Sequence, residues 1–66
     1  MTKVQAFAII KEANQMVDQM EKFSTDSKEY ADLNEALGWT LDSLVDSKLG
    51  WALKLSKRTG HYYLNF

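Results

Sequence analysis

Between Leu49 and Trp51 the hydrophobic pattern of this chain changes period. That change limits the folds open to it more than any other feature. Upstream, apolar residues recur every three or four positions. Downstream, Trp51, Leu53 and Leu55 alternate with Ala52, Lys54 and Ser56, and Tyr62, Leu64 and Phe66 resume the alternation after Lys57-Arg58-Thr59-Gly60. A period near 3.6 belongs to a helix with one buried face, and a period of 2 to a strand with one buried side. Gly60 can adopt the left-handed conformation that closes a short hairpin loop. The C-terminal third is therefore read as a β-hairpin, with strands over about 51–56 and 61–66. An isolated hairpin is marginal in water, so the side bearing Trp51, Leu53, Leu55, Tyr62, Leu64 and Phe66 needs a platform from the rest of the chain.

Two helices supply that platform. Thr2 with Gln5 three residues on forms a capping-box signature, and Ala6, Ile9, Ala13, Met16, Met20 and Phe23 make one seam, widened by Ile10 and Val17. The spacing predicts a helix over about 2–23, with Asp18 and Lys22 placed for an i,i+4 pair. Ser24-Thr25-Asp26-Ser27 is a cluster of cap formers, and Asp26 with Glu29 gives a second capping signal. Tyr30, Leu33, Leu37, Leu41, Leu44 and Val45 then hold one face of a helix over about 27–49, ended by Gly50, with Lys48 in its last turn. Gly38 interrupts this helix without shifting its phase, which reads as close packing or a slight bend. The expected fold is α+β: two antiparallel helices and a C-terminal hairpin in a single small domain, 1–66. A three-helix all-α chain, with Trp51–Arg58 as the third helix, is the alternative, opposed by Leu53 and by the alternation after Gly60.

Sixty-six residues lie near the lower limit at which one core sustains a fold. There is no cysteine, so disulfides and thiolate metal sites are excluded, and a reducing, cytoplasmic setting is expected. Val4–Ile10 is too short to span a bilayer, and no membrane association is expected. What remains for gaining core is to share one with a second copy, so a homo-oligomer is expected. The net charge of −1 conceals an asymmetry: residues 1–46 hold nine acids and four lysines, whereas 47–66 hold Lys48, Lys54, Lys57 and Arg58 and no acid. An acidic helical body with a basic end could serve internal docking or a partner.

Three sets of residues are functional candidates. Trp39 falls among Asp32, Glu35, Asp42 and Asp46, away from the leucine face. It is either an interface anchor or a residue the hairpin covers. The four acids could attract a basic partner, although acidic outer faces are ordinary on helices, and Asp42 and Asp46 lack the further oxygens a hard cation wants. On the hairpin, Lys54, His61 and Tyr63 fall opposite the apolar side, with Lys57 and Arg58 in the turn. Cations beside a stacking ring suit phosphates and unstacked bases, yet the same charges protect a sheet edge from aggregation. No catalytic, metal or cofactor site is expected: there is no cysteine nucleophile or Gly-rich phosphate loop, and the one histidine has no acid beside it in sequence.

The expected function is a non-enzymatic protein–protein interaction module, with self and a second macromolecule as partners, protein before nucleic acid. Nucleic-acid or anionic-ligand binding through the hairpin is the alternative. Chains of this size without a catalytic motif resemble the small regulators and host-factor inhibitors made by phages and mobile elements. The resemblance is one of size and style, and no residue is carried over from it.

Overall fold

The structure, a computed structural model, describes all residues from Met1 to Phe66. Helix α1 spans Lys3–Met20 and α2 Lys28–Val45; a 3₁₀ turn, Gly50–Ala52, leads into β1 (Leu53–Leu55), which pairs antiparallel with β2 (Tyr62–Leu64). This is the expected α+β order, and the three-helix alternative is ruled out. Each helix of 18 residues is about 27 Å long.

The capping box at the start of α1 is formed in both directions. Gln5 N donates to Thr2 Oγ1 at 3.2 Å, and Thr2 N donates to Gln5 Oε1 at 2.9 Å. The helix closes at Met20, three residues before the expected end, because Lys22 N and Phe23 N bond back to the carbonyls of Gln19 and Met20 in the tighter i→i−3 pattern. At α2 the cap is Ser27 and not Asp26. Ser27 Oγ accepts from Tyr30 N at 3.1 Å while its hydroxyl donates to Ser24 O at 2.7 Å, so one side chain joins the loop to the helix. The other end is earlier than the expected residue 49. Ser47 N and the Ser47 hydroxyl both donate to Leu44 O, and Ser47 Oγ accepts from Leu49 N. The serine thus takes the carbonyl that would have continued the helix. Lys48 lies beyond the last turn as a result.

Helix pairing buries Ala13, Met20, Leu37 and Leu41 towards one end and Ala6, Ile10 and Leu44 towards the other. Leu53 and Tyr62 pack against both groups, so the hairpin lies across the groove between the helices and joins the two halves of the core. Gly38 differs from expectation: a Cβ built there meets nothing within 4 Å, so it mediates no close packing within the chain.

The hairpin is shorter than the alternation implied. Strand pairing joins Leu53 to Leu64, Lys54 to Tyr63 and Leu55 to Tyr62. Gly60, at φ 75°, takes the left-handed conformation expected of it. Upstream, the 3₁₀ turn rotates the chain out of the period-2 phase. Ala52, expected on the outer side, is fully buried, and Trp51, expected to lie inside, is largely exposed. Leu55 and Phe66 are also partly exposed, because β1 leaves the helices as it runs towards the loop and Phe66 lies past the last strand pair.

Candidate functional site

The hairpin is held to α1 by a side chain that no sequence pattern marks. Backbone bonds from Ser56 N to His61 O and from Asn65 N to Ala52 O bracket the ladder, which leaves the N–H and C=O of Tyr62 on the outer edge of β2. Asn14, on α1, meets both. Its Nδ2 donates to Tyr62 O at 3.0 Å, and its Oδ1 accepts from Tyr62 N at 2.8 Å. The carboxamide has the same donor–acceptor pair as a peptide group, so it stands where a third strand would pair and closes that edge. One turn further along α1, Asp18 Oδ1 lies 2.6 Å from His61 Nε2. Asp18 therefore faces His61 and not Lys22, which is outside the helix.

These contacts decide where the hairpin lies, and with it the status of Trp39. The hairpin covers α1 and the groove, while Trp39 projects from the far side of α2 and is 71% exposed. The reading in which the hairpin buries Trp39 is thereby excluded. Asp32, Glu35, Asp42 and Asp46 are all exposed around it, in a band about 21 Å long. Lys28 Nζ, 3.9 Å from Asp32 Oδ2, is the one cation paired with them. The adjacent Gly38 adds no side chain, and the space its Cβ would occupy is open.

The five hairpin candidates do not form one surface. Lys54 and Tyr63 are cross-strand neighbours on the outer face. Lys57 and Arg58 are exposed in the loop. His61, expected beside Lys54 and Tyr63, lies one residue beyond the last strand pair and is instead turned to α1 and held by Asp18. A carboxylate thus sits beside the part of the hairpin that was expected to attract anions.

A cluster of exposed apolar side chains lies elsewhere. The Phe7 and Trp51 rings each make an edge-on contact with Phe66, with centroids 5.9 Å apart in both cases. Lys3 Nζ lies 4.8 Å from the Phe66 ring centroid, a favourable cation–π position. Val4 is 79% exposed, Trp51 63%, Phe7 54% and Phe66 43%. A signal for part of this patch was present: Val4 and Phe7 are three residues apart on one turn, off the Ala6–Ile9–Ala13 seam. Their joining to Trp51 and Phe66 depends on the chain's return to the start of α1. No helix is long and apolar enough to cross a membrane. Comparison of the chain with protein-family models, with curated proteins and with solved structures found no match.

Proposed function

We propose that the protein is a non-enzymatic interaction module whose α2 face, centred on Trp39, engages a protein partner with a basic surface. The observation that carries this reading is an indole left 71% exposed on a regular helix within a band of four carboxylates. Tryptophan is enriched among residues that dominate binding energy, and a ring of acids around it directs approach by a basic partner and disfavours an acidic one. The bare backbone at Gly38 admits a side chain of the partner close to the helix. Such a module is of the kind to which small phage and mobile-element regulators or inhibitors of host factors belong, by the likeness of size and style noted above.

The test compares capture from native-host lysate by the immobilised chain and by Trp39→Ala, with thermal melting of both. Because the side chain is mostly in solvent, Trp39→Ala is expected to change the melting temperature by only about 4 °C or less, while specific capture falls at least about tenfold. Undiminished capture, or a melting temperature lowered by about 8 °C or more, would refute the assignment. Nucleic-acid binding through the outward Lys54–Tyr63 pair and the Lys57–Arg58 loop is the competing outcome. Its signature is affinity that falls steeply with salt and vanishes in Lys57→Glu with Arg58→Glu.

A further inference from the structure

The surface area of the chain is too large for its mass. A folded monomer of 7.6 kDa exposes about 4,300 Å² by the usual scaling, whereas this chain exposes 4836 Å². The excess is about 500 Å². The radius of gyration agrees: it is 12.1 Å, against about 11 Å for a compact chain of this length. Only one large side chain, Leu44, is fully buried. The molecule is folded, but with the surface of something that has yet to be covered.

We infer that the patch formed by Val4, Phe7, Trp51 and Phe66 is the contact surface for a second copy of this chain, paired across a two-fold axis. This rests on the interaction-module reading and names the surface for one of its partners. The first argument is area. At about 150 to 250 Å² per large side chain, the exposures of these four residues leave roughly 450 Å² of apolar surface uncovered, close to the excess above. Homodimer interfaces are about 65% apolar, so such a patch would sit within about 700 Å² per protomer, or about 1,400 Å² in total, inside the range of specific interfaces.

The second argument is charge. None of the four side chains of the patch is charged, and Lys3 lies at its edge with its ammonium already over the Phe66 ring. Its flexible stem lets that ammonium remain at the rim. Two such patches meet without opposing charge bands. The more exposed indole of Trp39 is unsuited to self-pairing: two copies joined through it would bring together both sets of Asp32, Glu35, Asp42 and Asp46, a like-charge juxtaposition that costs affinity. Self-association therefore belongs to the aromatic patch, and α2 is left free for a partner of opposite charge. A two-fold arrangement makes the surface self-complementary, with each Phe66–Trp51 pair opposed to its symmetry mate.

Sedimentation of the intact chain from low to high micromolar concentration tests the inference. The wild-type chain is expected to dimerise within that range. Val4→Glu and Phe7→Glu each place a charge on the apolar patch and are expected to weaken the dimer about 100-fold, with helical circular dichroism retained because both side chains are solvent-facing. Trp39→Glu should leave the dimer unchanged. In a Trp39→Phe background, the emission of Trp51 should shift to shorter wavelength as the dimer forms. Should Phe7→Glu lose its helical signal, Val4→Glu, at the more exposed position, decides the matter alone.

A wild-type monomer throughout the range, a dimer indifferent to Val4→Glu, or a dimer dissolved by Trp39→Glu overturns the inference. So does a monomer whose Trp51 emission shifts only on lipid vesicles, which would give the patch to a membrane surface. A monomer that still loses partner capture on Trp39→Ala removes the dimer and leaves the α2 reading intact. A dimer whose capture ignores Trp39 does the reverse.

Discussion

Replacing Gly50 with alanine places a methyl group against the last turn of α2. The added Cβ would lie 2.5 Å from Val45 O, 3.0 Å from Val45 C and 3.1 Å from Leu44 O, whereas Cβ contacts below 3.0 Å are essentially unknown. All three are backbone atoms, so no side chain can turn aside. Either the final carbonyls of α2 or the 3₁₀ turn must move, and the turn carries the fully buried Ala52. Gly50 has no positive φ, so left-handed strain plays no part and the whole effect is one of space. Overpacking of this kind costs about 1 to 3 kcal/mol, from which alanine recovers about 0.4 to 1 by restricting the unfolded chain. Taking the middle of each range, a net loss of about 1.3 kcal/mol is expected. For 66 residues the entropy of unfolding makes 1 kcal/mol worth about 7 °C, so the melting temperature should fall by about 9 °C.

The matched control is Gly38→Ala. There the new methyl meets nothing within 4 Å, and alanine in a helix interior is better than glycine by about 1 kcal/mol, a gain of about 7 °C. Two chemically identical substitutions should therefore move stability in opposite directions. Melting followed by far-ultraviolet circular dichroism, with all variants at one protein concentration because self-association raises apparent stability, measures both. A Gly50→Ala chain that melts within about 3 °C of wild type would refute the reasoning. It would mean that the segment from Asp46 to Ala52 relaxes without disturbing what it carries.

Asn14→Ala should strand the outward N–H and C=O of Tyr62, at a cost of about 1 to 3 kcal/mol. Hydrogen exchange at the Tyr62 amide should quicken, and an unchanged rate would show that Asn14 is not its partner in solution. Asn14→Asp separates the two bonds, since a carboxylate still accepts from Tyr62 N but has no proton for Tyr62 O. Leu44→Ala opens the most enclosed part of the core and should cost about 2 to 5 kcal/mol, against a total stability of about 3 to 10 kcal/mol for a chain of this length. The urea midpoint should drop by about a fifth or more, and a midpoint unmoved within error would contradict the packing around Leu44.

The interaction surfaces divide sharply in how far they can be read from residue order. Trp39 and its four acids follow one another at helical spacing, so their sharing of a face is a local property, and only the position of the hairpin was needed to show that the face is open. Lys54 and Tyr63 are likewise neighbours because a hairpin pairs what its loop joins. His61 illustrates the opposite case. Its alternation with Tyr63 placed it outward, but strand alternation ends where pairing ends, and the carboxylate that receives it lies 43 positions away. Phe66 and Phe7 are joined by the same long-range return, so only half of the aromatic patch was visible as an off-seam pair on α1.

The element types and their order were determined by the sequence alone: the change from period 3.6 to period 2 at Gly50, the Thr2–Gln5 capping box and the left-handed Gly60. Each expresses a preference of a few neighbouring residues; packing kept the two helices, the capping box and the hairpin turn, but moved the start of the period-2 region from Trp51 to Leu53. Where the elements stop, and what faces outward, was decided by the tertiary structure. Ser47 ends α2 by taking the carbonyl of Leu44, and the tight turn that follows needs a hydrogen atom at Gly50 in place of a side chain. That turn sends Ala52 inward and Trp51 out. Asn14 then fixes β2 on α1 through two bonds spanning 48 positions. No local preference encodes such a bond, because its strength depends on a partner that only the folded chain brings within reach.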